Sequence, residues 1–457
     1  MQESEKKYLK FYQKLAYGAG DLASNCSYGL VSSFLLLYLS DIVGLNTGIV
    51  GTLMLVSKFL DGFSDVIFGN MIDKTKSKMG KARPWMLYAQ IGVSLCLVLL
   101  FSVPQGMSEV AQYAYFFVFY TSLNAIFYTA NGIAYAALSA LITNNKNERV
   151  QLGSFRFMFA IVTNIVMGFA VTGAVEAFGG GAKGWRMIAI ICALIGLVVN
   201  TISCLCVHEL GESELTEEDN DKPQDDKIGL WESIKLLAAN KYYVLILVIY
   251  LVYYFMSNLT TGSGIFFMTN VMGDGSLLGL FSLMKMFPVI IALVLTPILV
   301  KKFGSMQKVN FWGYVISDLF GILLIYGAMQ RNLVIMLVAM FIKGVFAGPL
   351  TGTLNALIAE ISGYTYRTRN VHIDGMMFSC SSVGVKVGGG IGTAAVGWLL
   401  EAGGYIGTAA TQSESALNMI FNLYITFPVL LGVVITVLLG FMSVEKANQK
   451  LDAENGR

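Results

Sequence analysis

Apolar runs of about 20 residues, the length that crosses a bilayer as a helix, follow one another along almost the whole chain. We read twelve of them, at 15–40, 47–72, 85–104, 110–142, 150–177, 185–207, 241–269, 276–300, 309–328, 331–359, 371–401 and 415–442. Hydrophobic residues make up 55% of the 457 and charged ones only 13%, with a mean hydropathy of +0.65. A soluble protein carries about 25% charged residues. No soluble core absorbs so much apolar sequence, so the expected class is an all-α membrane protein. The net charge of +2 gives no reason to expect a nucleic-acid partner, because the basic residues cluster in short loops. Cys26, Cys96, Cys192, Cys204, Cys206 and Cys380 lie in or at the ends of apolar segments. Cys204-x-Cys206 has no second pair, so all six read as buried thiols.

The polar segment "HELGESELTEEDNDKPQDDKIGLWESIKLLAANK" follows the sixth run. It is acidic, contains a proline, and reads as a linker. The expected division is a six-helix bundle at 1–207, a cytoplasmic linker at 208–240 and a second six-helix bundle at 241–457. Orientation follows from Lys and Arg in the short loops. One side holds Lys6, Lys7, Lys10 and Lys14, the loop from Lys74 to Arg83, Lys146, Arg149, Lys301, Lys302, Lys308, Arg367 and Arg369. The other holds little beyond Lys183, Arg186 and Arg331. The first side is expected to be cytoplasmic, with both termini inside. The N-terminal stretch lacks a signal-peptide pattern and reads as a cytoplasmic lead-in. The second run ends in "MIDKTKSKMGKARPW" and the eighth in "ILVKKFGSMQKV", a faint echo of the parallel repeat that builds the major facilitator class.

The second run also carries charge where charge is costly. Lys58, Asp61 and Asp65 in "VSKFLDGFSDVIFG" are spaced i, i+3 and i+7, one stripe of a helix. Leu53, Val56, Leu60, Phe63 and Ile67 populate the other faces. At about 2.5–3.5 kcal/mol per charge at the bilayer centre, that stripe faces the bundle interior or a water-filled cavity. A Lys58–Asp61 ion pair that only locks two helices would leave Asp65 unexplained. Two carboxylates one turn apart offer oxygen ligands to a hard cation, or a pair that readily holds one proton. Other polar groups recur at membrane depth: Asp21, Asn25 and Tyr28 on the first helix, Tyr128, Asn131 and Tyr135 on the fourth, Arg156 on the fifth and Lys386 on the eleventh. Amides and charges bind hydroxyls, and aromatic faces stack on sugar rings, so the set suits a polar, hydroxyl-rich solute. Gly388, Gly389, Gly390 and Gly392 read as close helix packing. His208 and His372 belong to no metal motif. Neither a catalytic constellation nor a Walker-type sequence is present, so an enzyme and an ATP-driven pump are both disfavoured.

Together "YGAGDLASN", "VGTLMLVSKFLDGFSD", "KARPWML", "AEISGY" and "FSCSSVGVKVGGGIG" resemble the glycoside–pentoside–hexuronide:cation symporters, the family of melibiose permease. The resemblance runs from about Tyr17 to the last helix. It implies a major facilitator fold, alternating access, and sugar or glycoside uptake with H⁺, Na⁺ or Li⁺. By the same resemblance Asp61 and Asp65 match the carboxylates of the cation site, a Na⁺ site where that ion is used. Asn25, Tyr128, Arg156 and Lys386 match positions around the sugar. Lys81 and Arg83 fall in the loop that closes the inner gate, and Lys58 stands where the family has a basic residue. Asp21 and Glu360 complete the charge-pairing and gating set.

The sequence departs from the pattern at telling positions. Gly132 stands where melibiose permease has its fourth-helix aspartate, and Asn131, one residue off, is the candidate substitute. Ala136 replaces the pocket tryptophan, with Tyr135 adjacent. His372 and Asp374 replace a usual Arg and Glu, while Glu360 is kept with Tyr364 after it. These changes argue against melibiose and favour H⁺ over Na⁺ as coupling ion. The expectation is a monomeric, cofactor-free symporter of a sugar, glycoside or glucuronide in the cell inner membrane. An uncoupled facilitator or exchanger is the alternative, and a non-transporting sensor a more distant one.

Overall fold

The computed structural model describes residues 7–211, 230–369, 371 and 374–454. Twelve long helices run through them. α1 is Phe11–Leu37, continued by a wide π turn at Tyr38–Val43. α2 is Thr47–Asp73 and α3 is Arg83–Leu100. α4 comprises Glu109–Thr121, a π turn at Ser122–Tyr128, and Thr129–Leu141. α5 is Lys146–Ala177, and α6 is Gly181–Leu205. α7 is Lys241–Phe266 with a π turn at Phe267–Val271. α8 is Leu277–Phe303, α9 Met306–Met329 and α10 Leu333–Arg369. α11 joins Asp374–Val383, a π turn at Gly384–Gly388, and Gly389–Ala402. α12 joins Glu414–Phe421, a π turn at Asn422–Thr426, and Phe427–Phe441. Short helices occupy Leu230–Ala239 and Val444–Glu454.

Among the described residues, ten helices are long and apolar enough to span a bilayer. The two long helices outside that set are α2, which carries Lys58, Asp61 and Asp65, and α4, rich in tyrosine and asparagine. Polar groups at this depth face the bundle interior rather than lipid. Apolar side chains are turned outward, as a hydrocarbon solvent demands: Phe63 on α2 is 73% exposed, and Val56, Leu60 and Ile67 are exposed with it. All six cysteines are free thiols, five of them buried. Residues 212–229 of the expected linker, and His372, lie outside the described residues.

The chain divides into two compact units. One contains Met1–Asp221, Gly264–Leu280 and Ala394–Leu417; the other contains Lys222–Ser263, Phe281–Thr393 and Asn418–Arg457. In the first unit α1 packs against α5 and α6, and α3 against α6; in the second, α9 packs against α10 and α12.

A carboxylate closes the start of α3 and another the start of α9, in matching ways. Just past α6, Glu209 accepts hydrogen bonds from the backbone N–H groups of Lys81, Ala82 and Arg83 at 2.7, 2.9 and 3.0 Å. Just past α12, Glu445 accepts from the N–H groups of Met306 and Gln307, both at 2.9 Å, and from the Ser305 hydroxyl at 2.6 Å. Each satisfies helix donors that have no intrahelical acceptor and sits at the positive end of the helix dipole. Glu209→Ala and Glu445→Ala should each cost about 1–3 kcal/mol. Thermal unfolding in detergent checks this, and a shift in one variant alone would show that the two caps are not equivalent.

Candidate functional site

α1 presents Asp21, Asn25 and Tyr28 at i, i+4 and i+7, a single face. α5 brings Arg156 and Asn164 to it. The Arg156 Nε donates to the Asp21 Oδ2 at 2.7 Å, and its guanidinium lies 4.2 Å from the centre of the Tyr135 ring, within cation–π range. Tyr135 is fixed by a reciprocal clasp. Its hydroxyl donates to the Tyr17 carbonyl at 2.6 Å, and the Tyr17 hydroxyl donates to the Tyr135 carbonyl at 2.7 Å. At 2% exposure, Tyr135 backs the face and holds the guanidinium from behind. The Asn25 amide oxygen accepts from Asn164 Nδ2 at 3.0 Å, and Tyr28 stacks on Tyr128 with ring centres 5.9 Å apart. Tyr128 ends the π turn of α4 and lies within electrostatic reach of Asp21, Asp61 and Arg156. The result is a half-buried polar surface with a paired ion, two amides and an aromatic ledge.

On α2, Asp61 is buried and Asp65 half-buried. The hydroxyl of Thr129, at the end of the same π turn, lies between the Asp61 Oδ1 and the Asn124 carbonyl, the latter 2.8 Å away. Thr129 is a residue the sequence analysis missed. Asn131 is turned elsewhere: its Nδ2 donates to the Met86 carbonyl on α3 at 2.8 Å and approaches Asn200 Oδ1 at 3.5 Å. A side chain added at Gly132 would meet nothing within 4 Å. Arg83 is buried, its Nε donating to the Cys204 carbonyl at 3.0 Å and its Nη1 to Met79 at 3.3 Å, while Lys81 contributes its backbone N–H to Glu209.

Within the second unit, Lys386 stands in the π turn of α11 and is half-buried. The flanking glycines let α11 lie directly on α7: a Cβ at Gly388 would fall 2.5 Å from the Leu251 carbonyl oxygen, and one at Gly392 2.5 Å from that of Phe255. Glu360 accepts from Asn448 Nδ2 at 2.9 Å, tying α10 to the terminal helix, where Arg367 makes a two-pronged pair with Asp452 at 2.6 and 3.0 Å.

A family model described as MFS/sugar transport protein matches residues 16–446. The chain belongs to that family. It is 29% identical to the isoprimeverose transporter of Lactiplantibacillus pentosus, over 98% of this chain and 92% of that protein. A putative glycoside/cation symporter of Escherichia coli K12 is 26% identical over 93% of this chain and 90% of its own length. A solved bacterial homologue of the human lysosomal transporter Spinster, inward-facing and unoccupied, superposes with a TM-score of 0.71. That match covers 96% of this chain and 98% of that one at 13% identity, which shows the fold. The fold is the major facilitator fold, and the chain is a multi-pass membrane transporter rather than an enzyme.

In this MFS/sugar transport protein the far end of α1 carries a second polar cluster that the sequence analysis did not single out. The Tyr405 hydroxyl donates to both Asp41 carboxylate oxygens at 2.9 and 3.0 Å. Asn46 Nδ2 donates to Glu401 at 2.8 Å, and the Trp398 indole N–H to the Thr52 hydroxyl at 2.9 Å. Burial, followed by the neighbouring Asp41, holds the Tyr405 hydroxyl well above its ordinary range, so it stays a donor. These bonds fasten the end of α11 and the loop after it to α1 and α2. Asn164 also went unnoticed, because an asparagine whose amide returns to the carbonyl four residues back, here Ala160 at 2.8 Å, looks like ordinary helix interior.

Proposed function

We propose that the chain is a secondary active transporter carrying a sugar, glycoside or glucuronide together with a cation, H⁺ in preference to Na⁺. It would work as a monomer in the inner membrane, by alternating access of the halves 1–207 and 241–457, with both termini cytoplasmic. Neutralisation of Asp61 and Asp65 beside Lys58 prepares the α1, α4 and α5 face. Asn25, Tyr28, Tyr128 and Arg156, backed by Tyr135 and joined by Lys386, bind the sugar.

The observation that carries the proton reading is the Thr129 hydroxyl between Asp61 and Asn124. A hydroxyl has one proton to give. With Asp61 ionised it donates to the carboxylate. With Asp61 protonated, the carboxyl donates to the hydroxyl, which turns to the Asn124 carbonyl. Both protonation states are then hydrogen-bonded on one backbone, as a group that loads and releases a proton requires. Gly132 supplies no side-chain oxygen for Na⁺, and the Asn131 amide is turned to α3, where its Nδ2 donates to the Met86 carbonyl, which agrees with this preference. The names of the two relatives support the sugar and the cation. The same loss at Gly132 also favours a second reading, an uncoupled facilitator or exchanger.

Uptake into proteoliposomes decides between them, using a panel of glycosides and glucuronides under an imposed pH gradient and, separately, an imposed Na⁺ gradient. Accumulation under the pH gradient alone is expected. Accumulation under Na⁺ alone overturns the proton preference, and flux that exploits neither gradient overturns symport.

A further inference from the structure

The second unit holds charge that the site above does not use. Lys285 on α8, Asp318 on α9 and Lys343 on α10 all lie inside membrane-spanning helices. Lys285 and Lys343, both half-buried, line a cavity of about 160 Å³ within that unit. Glycine packing sets their two helices against each other at this point. A Cβ at Gly344, next to Lys343, would lie 2.9 Å from the Pro288 Cβ and 3.8 Å from the Lys285 carbonyl oxygen.

The charges do not balance. Asp318 Oδ2 accepts from the Thr436 hydroxyl at 2.6 Å, while its Oδ1 is buried without a hydrogen-bond partner among the described residues. That Oδ1 and the Lys343 ammonium converge on Gly432: a Cβ there would lie 2.5 Å from the oxygen and 3.9 Å from the nitrogen. Asp318 therefore offsets Lys343. Lys285 Nζ donates to the Thr261 hydroxyl at 3.3 Å, a neutral group that gives its own proton to the Ser257 carbonyl. The helices lining the cavity, α7 to α10 and α12, contain only two further carboxylates. Glu360 lies about 26 Å along α10 from Lys343 and is bound to Asn448. Glu414 is exposed at the start of α12. One positive charge is left over, in a wall that is largely apolar, with Met256, Phe281, Val289 and Leu324 in it. An ammonium at membrane depth without a counter-ion is costly. An ion pair kept only for structure would account for Lys343 and Asp318 but not for Lys285.

We propose that this cavity binds a small monovalent inorganic anion, a halide such as chloride, with Lys285 as its principal counter-charge and Lys343 as the second. The volume matches about five waters at their liquid density, room for a halide and a few waters of its shell. A single negative charge cancels the single positive excess, whereas a divalent anion would reverse it. The site also offers donors. An ammonium has three protons, and Lys285 gives one of them to Thr261. The Tyr253 and Thr351 hydroxyls, both in the wall, are 2.9 Å apart; their mutual bond uses one hydroxyl proton and leaves the other for a ligand. The site shares no residue with the α1, α4 and α5 face, and the inference does not depend on which solute is carried.

The test uses the purified full-length protein in detergent, in sodium salts of one ionic strength at neutral pH, with glutamate as the reference anion. Replacing glutamate by chloride should raise the thermal unfolding midpoint by about 2 °C, and the rise should saturate, half-complete at about 10 mM. Bromide should act as chloride does, and sulfate should not. Lys285→Gln should raise the half-saturating chloride concentration about tenfold or more, whereas Lys285→Arg, which keeps the charge, should hold it within about threefold. In bromide-soaked crystals of the unaltered protein, an anomalous peak should lie within about 3.5 Å of Lys285 Nζ, a measurement that needs no variant to fold. A midpoint that climbs with salt without saturating is a bulk-salt effect and overturns the proposal. So does the absence of any chloride dependence, the result expected of a neutral or merely hydrated Lys285. A saturating rise that Lys285→Gln leaves intact, or a cavity without bromide, overturns it as well. Sulfate acting as well as bromide overturns the choice of a monovalent ion.

Discussion

Asp61→Asn should abolish uphill accumulation while sparing sugar exchange. A pH gradient of two units supports about a hundredfold accumulation when one proton moves with each sugar, since each unit is worth about 1.36 kcal/mol. In the variant that ratio should fall to about one. Asparagine keeps the size of the side chain, and its amide can donate to Thr129, which then donates to the Asn124 carbonyl. The buried position therefore stays hydrogen-bonded and the helices stay packed. What is lost is the ability to take up a proton, so counterflow of labelled sugar against unlabelled sugar should remain within about threefold of wild type. Asp65→Asn, half-buried on the same stripe, should show the same separation of accumulation from exchange. An Asp61→Asn transporter that still concentrates sugar fully would remove Asp61 from the coupling step. One that loses exchange as well would make Asp61 a structural group of the α2–α4 contact.

The order in which features became readable follows their energetic cost. Ten of the twelve long helices were legible because a spanning segment is apolar over its whole length, and the α2 stripe because three charges in an otherwise apolar run need a reason. Asp21 and Arg156 were legible singly on the same grounds, but not as a pair, since 135 residues separate them. Thr129 was not legible: a threonine in a helix usually bonds the backbone of the preceding turn, and nothing in "FYTANG" points it at Asp61. It gets there because a π turn widens α4 over Ser122–Tyr128, and period-based reasoning assumes 3.6 residues per turn. Lys386, which its charge did make legible, also stands in a π turn. Such turns recur at functional positions in helices. Lys285 and Lys343 are a different case. Each interrupts an apolar run in "SLMKMF" and "FIKGVF", and the cost argument applied to α2 singles them out equally well. The proximity of Asp318 to Lys343 needed the structure, because the two residues come from different helices.

Arg156→Ala should reduce sugar affinity by tenfold or more and also lower stability, and a double variant separates the two effects. The single change strands the Asp21 carboxylate and uncovers the Tyr135 ring. Losing a charged partner in a fully buried pair costs about 3–5 kcal/mol. Here the side chains are 29% and 15% exposed, so water reaches the orphan and about 1–3 kcal/mol is expected. Asp21→Asn combined with Arg156→Ala removes the stranded charge and should recover at least half of that stability, the coupling expected of residues in contact. Sugar affinity should not recover if Arg156 is the sugar ligand proposed above, because its guanidinium donors are absent from both variants. Thermal unfolding and sugar binding in detergent, measured on all four proteins of the cycle, report the two quantities independently. Affinity that returned together with stability would reduce Arg156 to a brace between α1 and α5, and the sugar contacts would then have to come from Asn25, Asn164 and the stacked Tyr28 and Tyr128. If neither returned, the stability lost in Arg156→Ala would come from the uncovered Tyr135 ring rather than from the stranded Asp21 carboxylate.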